Sequence, residues 1–198
     1  MVRVLFFDTE TTGLPKKRGV SALDDSSVWP DLVSISWQLY DDRELVRKES
    51  HIIKPEGFKI PDESVRFHGI TTELAEVHGK PLNDVLIQFA EDVILSDRIV
   101  AHNLEFDKNV IFHSFKWRLS KDVNWWPVSS EFCSLQKSIN EMKMPSKFGK
   151  PSDPYKMPGL DELWRDTFGT DAPANAHSSE RDVDVLQKIV WRRWPYLF

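Results

Sequence analysis

Three stretches near the start of the chain have the hydrophobic pattern of β-strands. Val2–Phe7 is an almost continuous apolar run rich in β-forming residues, which predicts a central strand buried on both faces. Apolar and polar side chains alternate from Leu32 to Tyr40, so this strand would turn one face towards a core. Asp41 and Asp42 provide a turn, after which Leu45–Ile53 can return as a third strand. The pattern therefore predicts a three-strand meander.

The spacing of apolar residues then changes to a helical period. Between Pro81 and Leu95, apolar side chains recur every three or four positions, which predicts an amphipathic helix. Further patterns predict strands over Arg98–Ala101 and Val128–Cys133 and helices over Glu105–Leu119, Leu160–Phe168 and Ser179–Trp191. This order of strands and helices predicts an α/β fold with a mixed sheet.

Two segments are predicted to be enlarged surface loops, at about 15–31 and 143–159. The first contains the basic run Lys16-Lys17-Arg18 and the acidic pair Asp24-Asp25. The second is too rich in residues that break helices and strands to hold regular structure, with breakers at Pro145, Gly149, Pro151, Pro154, Pro158 and Gly159.

Composition narrows the class of protein. A chain of 198 residues with 40% hydrophobic content fits one domain, spanning 1–198, with a sizeable core. Cys133 is the only cysteine in the sequence, which excludes an intramolecular disulfide and a multi-cysteine zinc site. The sequence contains neither a signal-peptide core nor an apolar run of membrane-spanning length. We therefore expect a soluble protein, intracellular and cytoplasmic by default, with no membrane partner and an oligomeric state that the sequence does not reveal.

Acidic residues outnumber basic ones by 31 to 26, a net charge of −5 that argues against a broad basic face for nucleic acid. Some of these acids lie at predicted element ends. Asp8 and Glu10 are two positions apart at the end of the first strand, so both side chains leave the same face. Asp107 follows the strand Arg98–Ala101, and Asp182 lies in the first turn of the last helix, five residues after His177.

Each of these residues also has an ordinary structural interpretation. The pair at the first strand end can be a chance feature of a polar loop. Asp107 can simply stabilise its helix by interacting with the helix dipole, which contributes about 0.3–1 kcal/mol. Asp182 can be part of a Ser-x-x-Asp helix start with Ser179, and a lone loop histidine is commonly solvated.

Taken together, four acids and one histidine at three element ends suit a site for two divalent ions. Mg²⁺ and Mn²⁺ prefer oxygen ligands, which carboxylates supply. Two such ions about 3.5–4 Å apart can stabilise both the attacking and the leaving oxygen of a phosphodiester. Histidine is the side chain best suited to take a proton from the attacking water near neutral pH.

Three motifs carry a resemblance to a known family. They are FFDTETTGL from Phe6, AHNLEFD from Ala101 and HSSERD from His177. Their order and the His-x4-Asp spacing resemble the DEDDh 3′–5′ exonucleases, a ribonuclease H-like family that includes the epsilon proofreading subunit of bacterial replicative DNA polymerase. The resemblance runs from the first strand to the last helix. Cys133-Ser134 departs from it, because many relatives carry Asp-Thr there.

The resemblance implies a ribonuclease H-like mixed five-stranded sheet, a three-strand meander followed by alternating helices and strands, flanked by helices. It implies 3′–5′ hydrolysis of nucleic acid to nucleoside 5′-monophosphates with two Mg²⁺ or Mn²⁺ ions. Its metal ligands would be Asp8, Glu10, Asp107 and Asp182, with His177 as the general base. Its substrate contacts would be Thr9, Thr11, Leu14, Asn103 and Phe106, with Leu14 against the terminal base.

The substrate and partners are less defined than the chemistry. The residues of the first motif resemble the proofreading branch of the family, which favours DNA over RNA. The expected substrate is a single-stranded or frayed 3′ end. The alternatives are an RNA-directed exoribonuclease and a non-catalytic nucleic-acid-binding or polymerase-accessory module. The lysines of 143–159 suit either a solvated loop or contact with a single strand. Trp125-Trp126 and the aromatic C-terminus most simply close the core, and the C-terminus could otherwise dock a polymerase or a sliding clamp.

Overall fold

A five-stranded mixed sheet forms the centre of the molecule. The computed structural model describes residues 2–127, 130–150, 153–174 and 176–197. The strands are β1 (Arg3–Thr11), β2 (Leu32–Asp41), β3 (Glu44–Ile52), β4 (Arg98–Ala101) and β5 (Glu131–Cys133). Their spatial order is β3-β2-β1-β4-β5, with β1 antiparallel to β2 and parallel to β4. The predicted meander, the central position of the first strand and the mixed five-stranded sheet are confirmed.

Helices cover both faces of this sheet. They are α1 (Asp62–His68), α2 (Thr72–His78), α3 (Leu82–Ile94), α4 (Leu104–His113), α5 (Ser134–Met142), α6 (Leu160–Phe168) and α7 (Ser179–Arg193). Leu5 and Phe7 of β1 pack in one core with α3 and α4, whereas Val4 and Phe6 pack in another with α6 and α7. Successive residues of β1 therefore face different helices. The same alternation determines which helices lie next to each polar side chain at the end of this strand. Among the described residues, no helix is both long and apolar enough to cross a membrane.

Several element boundaries differ from the sequence predictions. The helix predicted over Glu105–Leu119 is α-helical only to His113 and continues as a π-helical turn over Ser114–Arg118. The strand predicted over Val128–Cys133 is found at Glu131–Cys133, while residues 128 and 129 lie outside the described part.

Three helices were not predicted from the sequence. Only Ser64 of α1 and only Ala75 of α2 are buried, so neither seven-residue helix has an apolar stripe that a periodicity could reveal. Helix α5 is nine residues long, directly follows β5 and buries only Ser134, Leu135 and Ser138. Short helices with so little apolar burial depend on their tertiary contacts for stability.

The prediction that residues 143–159 lack regular structure is wrong. Strands β6 (Pro145–Lys150) and β7 (Asp153–Tyr155) pair antiparallel in a separate two-stranded sheet. A two-stranded ribbon tolerates proline because each strand leaves one edge unpaired. The Lys156 side chain bonds the carboxylate of Glu162. The Phe148 and Lys150 side chains lie outside the described part, so contact of this segment with a single strand stays a prediction.

Trp126 and Trp194 close the core, as predicted, whereas Tyr196 is 68% exposed and the Leu197 side chain and Phe198 lie outside the described part. Trp126 is buried and packs edge-on against Phe112 with ring centroids 5.5 Å apart. Trp194 is buried against Phe132, and its indole N–H donates to Glu141 at 3.0 Å. A polymerase or clamp partner for the C-terminus stays a prediction.

Candidate active site

Three carboxylates meet where β1 passes under the start of α7. Asp8 and Glu10 share the β1 face that carries Val4 and Phe6, the face covered by α7. Asp182 lies in the first turn of α7, and oxygen atoms of these three acids lie within 4.8 Å of one another. β1 extends to Thr11, so the first two acids belong to the strand itself and their directions are fixed by its pleat.

The fourth acid lies on the opposite face of the sheet, and the structure does not include it in this group of three. Asp107 lies in the first turn of α4 and is only 2% exposed. The backbone N–H and the hydroxyl of Thr9 donate to its Oδ1 at 3.2 and 2.6 Å. Thr9 was predicted to contact substrate, and it lines the cleft described below, but in this structure its hydroxyl holds Asp107.

The third motif positions Asp182 and His177 together. The backbone N–H of His177 donates to Asp182 Oδ2 at 3.2 Å, and Arg181 donates to Oδ1 at 2.7 Å. The Ser-x-x-Asp helix start does not form, since Ser178 is the N-cap residue and makes no side-chain capping bond. Ser179 instead hydrogen-bonds Ser36 of β2 at 2.8 Å, which ties α7 to the sheet.

Arg181 is a residue of this site that sequence reasoning missed. Besides Asp182, its guanidinium contacts Asp161 of α6 at 2.7 Å and donates to the Pro173 carbonyl. The side chain therefore joins α6, the segment before α7 and one acid of the cluster. Its place inside the third motif was the only available signal, because its contact with Asp161 depends on how α6 packs beside α7.

A cleft of 580 Å³ opens beside the acid cluster. Glu10, Thr11 and Leu14 form one side, and Phe106 and His177 also line it. Leu14 is 81% exposed at the cleft, as expected for a side chain that meets a ligand. The predicted substrate contacts therefore line this cleft except for Asn103, which is exposed at the N-terminus of α4.

Helix α1, absent from the sequence prediction, supplies the facing wall of the cleft. Its Phe67 packs edge-on against the His177 ring with centroids 5.7 Å apart, and His68 lies beside it. His177 itself has a left-handed backbone with φ of 64°. That conformation is uncommon for residues other than glycine, and the Asp182 bond and the Phe67 contact help to hold it.

Burial and mutual repulsion raise the pKa of the clustered acids. Desolvation raises the pKa of Asp8 well above its usual range, and the charges of Asp107, Asp182 and Glu10 add to the shift. Desolvation is also the main cause that raises the pKa of Glu10 to about 8. The pKa of Asp107 rises to about 7 despite the Thr9 hydrogen bonds, and burial raises that of Asp182 despite Arg181.

This donor set fits divalent cations of the magnesium type. All four candidate ligands are carboxylates, which suit Mg²⁺ and Mn²⁺. The acids stand close enough to repel one another in their ionised forms, so a cation would remove an electrostatic cost of the folded state. The arrangement is thus able to bind metal and to bring it next to a cleft.

We expect the metal-free protein to lose stability between pH 6.5 and 8. When a carboxyl group has a higher pKa in the folded state than in the unfolded state, the free energy of unfolding falls as the pH rises towards the folded-state pKa. That pKa is about 7 for Asp107 and about 8 for Glu10. Buried histidines act in the opposite direction at the lower end of this window, because the pKa of His102 is lowered to about 4 and those of His51, His68 and His113 are lowered too, so the unfolded chain binds more protons there. This gain fades above the unfolded histidine pKa of about 6.5, so the carboxyl groups dominate towards pH 8.

Melting curves in EDTA should therefore show a Tm about 4–8 °C lower at pH 8 than at pH 6.5. Adding Mn²⁺ at pH 8 should reverse most of this loss, because only the folded state offers the assembled ligands. A Tm that stays level in EDTA across this range would contradict the electrostatic account of the cluster.

Comparison with known proteins agrees with the fold. The family match and the mixed five-stranded sheet place the chain among the ribonuclease H-like exonucleases of the DEDD superfamily. Residues 5–190 match the model of the RNase_T family, described as exonuclease, and the chain belongs to this family. No curated protein sequence gives a significant match.

Solved structures of Exonuclease I from E. coli have the same fold. The complex with a dT13 oligonucleotide aligns with a TM-score of 0.70 at 20% identity, covering 100% of this chain and 43% of that one. The complex with a dA16 oligonucleotide gives 0.72 at 19% identity, covering 100% and 42%. The chain thus spans less than half the length of these matched structures.

Proposed function

We propose that this chain is a DEDDh-type 3′–5′ exonuclease that removes nucleoside 5′-monophosphates from a single-stranded or frayed 3′ end. The observation that carries the proposal is the convergence of Asp8, Glu10 and Asp182 within 4.8 Å, beside His177 and an open cleft. We further propose that residues 1–198 act as one exonuclease domain.

The four acids would hold the metal ions, and the remaining residues act on the substrate. Asp8, Glu10, Asp107 and Asp182 are the proposed ligands of two Mg²⁺ or Mn²⁺ ions, which supply positive charge for the attacking and leaving oxygens when bound. Thr9 keeps Asp107 in place through two hydrogen bonds, and Arg181 does the same for Asp182.

His177 is the proposed general base. It lines the cleft next to Asp182, with its backbone and ring position held as described above. It takes a proton from the attacking water as the new oxygen–phosphorus bond forms. The bond between phosphorus and the 3′ oxygen of the preceding nucleotide breaks, that oxygen gains a proton, and the terminal nucleotide leaves as a 5′-monophosphate.

The terminal nucleotide is proposed to occupy the 580 Å³ cleft. Exposed Leu14 and half-buried Phe106 offer apolar surface to its base. The Thr11 hydroxyl donates to the Gly13 carbonyl at 2.7 Å, so Thr11 acts by shaping the turn that presents Leu14.

DNA is the favoured substrate. The first motif resembles the proofreading branch, and the E. coli Exonuclease I structures that share this fold contain deoxyoligonucleotides. Metal-binding carboxylates contact phosphate and do not sense a 2′-hydroxyl, so selection against RNA would need a separate contact.

A strand labelled in its last phosphodiester tests this proposal. With Mg²⁺ or Mn²⁺, we expect labelled mononucleotide to appear from the first turnover, faster from dT20 than from rU20, and to stop on addition of EDTA. Faster release from rU20 would assign the protein as an exoribonuclease. Binding of the strand without any metal-dependent release would identify a non-catalytic module.

A further inference from the structure

A second cleft, of 390 Å³, lies next to the candidate active site. Lys16, Trp29, Trp117 and Arg118 line it together with small polar residues. Its walls are the enlarged loop that follows the first motif and the π-helical turn Ser114–Arg118. Nothing in the catalytic proposal uses these side chains.

The loop is firmly attached, so the second cleft is preformed. The side chain of Asn109 accepts the Ala22 N–H at 2.8 Å, and the Trp117 indole N–H donates to the Ala22 carbonyl at 2.7 Å. His113 bonds the Ser26 carbonyl at 3.1 Å. Side chains of α4 and the π-helical turn thus replace the regular hydrogen bonds that the loop lacks, and a rigid cleft loses little entropy on binding.

Two connections show that the two clefts lie close together. Leu14 lines the first and Lys16 the second, and two residues span at most about 7 Å of chain. Phe106 lines the first and Trp29 the second, and their ring centroids are 5.9 Å apart. A strand that passes Leu14 and the Phe106–Trp29 pair therefore enters the second cleft.

The lining has the chemistry of a single-strand binding site. Lys16 lines the cleft and is exposed, Lys17 and Arg18 follow it in the chain and are exposed too, and Trp117 is 39% exposed. Asp31, which also lines the cleft, is ion-paired with Arg118 at 2.5 Å. Lysines next to exposed aromatic faces bind phosphates and stack bases without reading sequence.

We infer that the second cleft binds the nucleotides that precede the 3′-terminal one on a single nucleic-acid strand. This inference rests on the proposed function for the direction of the strand. It gives the loop 15–31 a role in holding longer substrates, and it places Lys16 beside the path of the backbone.

The test compares two double variants. The first carries Lys16→Gln and Lys17→Gln. The control carries Lys188→Gln and Arg192→Gln, which remove the same charge from exposed positions on α7. Thymidine 5′-p-nitrophenyl phosphate reports only the first cleft, whereas dT8 can reach the second. We expect the first variant to raise KM for dT8 about tenfold. For this variant, the slope of log KM against log salt concentration should be smaller by up to about 1.4. The control should leave both quantities unchanged.

Binding of labelled dT8 in EDTA, followed by anisotropy, separates this inference from the proposed function. Loss of affinity in the Lys16/Lys17 variant but not in the control supports the second cleft even if the wild-type protein shows no turnover. Equal affinity and equal KM for dT8 in the two variants would overturn the inference, and so would an effect of the same size on the p-nitrophenyl ester.

Discussion

Replacing Asp8 with asparagine is expected to lower kcat by about 10³-fold or more and, at the same time, to stabilise the metal-free protein. Asparagine has nearly the same shape but no charge, so it weakens metal binding. It also removes the half-buried carboxyl whose pKa is raised by desolvation and then by the charges of Asp107, Asp182 and Glu10. Relief of that repulsion should raise the free energy of unfolding in EDTA at pH 8 by about 1–3 kcal/mol.

Turnover with Mn²⁺ and melting in EDTA measure the two effects. Asp182→Asn should also lose activity, since it removes a second acid of the cluster. Asp184→Asn is the matched control two residues along α7, because Asp184 pairs with Lys48 at 3.1 Å instead of joining the cluster. That variant should retain turnover without gaining stability. An Asp8→Asn protein that is fully active, or less stable than wild type in EDTA, would contradict the assignment.

Replacing His177 with asparagine is expected to lower kcat by about 10²–10⁴-fold while metal binding is retained. Asparagine tolerates the left-handed backbone found here, with φ of 64°, better than most residues. The backbone N–H that donates to Asp182 is kept, so the change removes the imidazole with little disturbance of the acids. A loss of kcat then reports proton transfer and not a collapsed metal site.

Mn²⁺ titration by calorimetry, alongside turnover, distinguishes this variant from Asp8→Asn, which should lose both properties. His78→Asn is a suitable control, because His78 is an exposed histidine at the end of α2 and does not line the cleft. A His177→Asn enzyme with wild-type kcat would show that another group accepts the proton, and His68, which lines the same cleft, would be the first to replace.

Short-range geometry explains why much of the fold was predictable. The strand pleat places Asp8 and Glu10 on one face wherever β1 lies in the sheet. Strong apolar periodicity likewise identified β2 and α3 with nearly correct limits. Helices α1 and α2 escaped prediction because each buries a single small residue, and the β6–β7 ribbon was hidden by its prolines.

The roles of Thr9 and Arg181 were not predictable for a different reason. Thr9 holds an acid 98 positions away along the chain, and Arg181 connects Asp182 with α6 and the Pro173 carbonyl. Hydrogen bonds of this kind depend on how helices dock on the sheet, which local pattern does not specify.

By itself, the sequence determined the central strand, the residue types of the site and the motif order that identifies the family, because these depend on local geometry and on residue identity. Only the tertiary structure decided that α7 covers the face of β1 that carries Asp8, while α4 places Asp107 on the opposite face, beside Thr9. It also decided that α1 walls the first cleft and that the loop after the first motif forms a second one. The physical reason is that burial, repulsion and cleft shape arise from contacts between residues far apart in the chain, and packing alone sets those contacts.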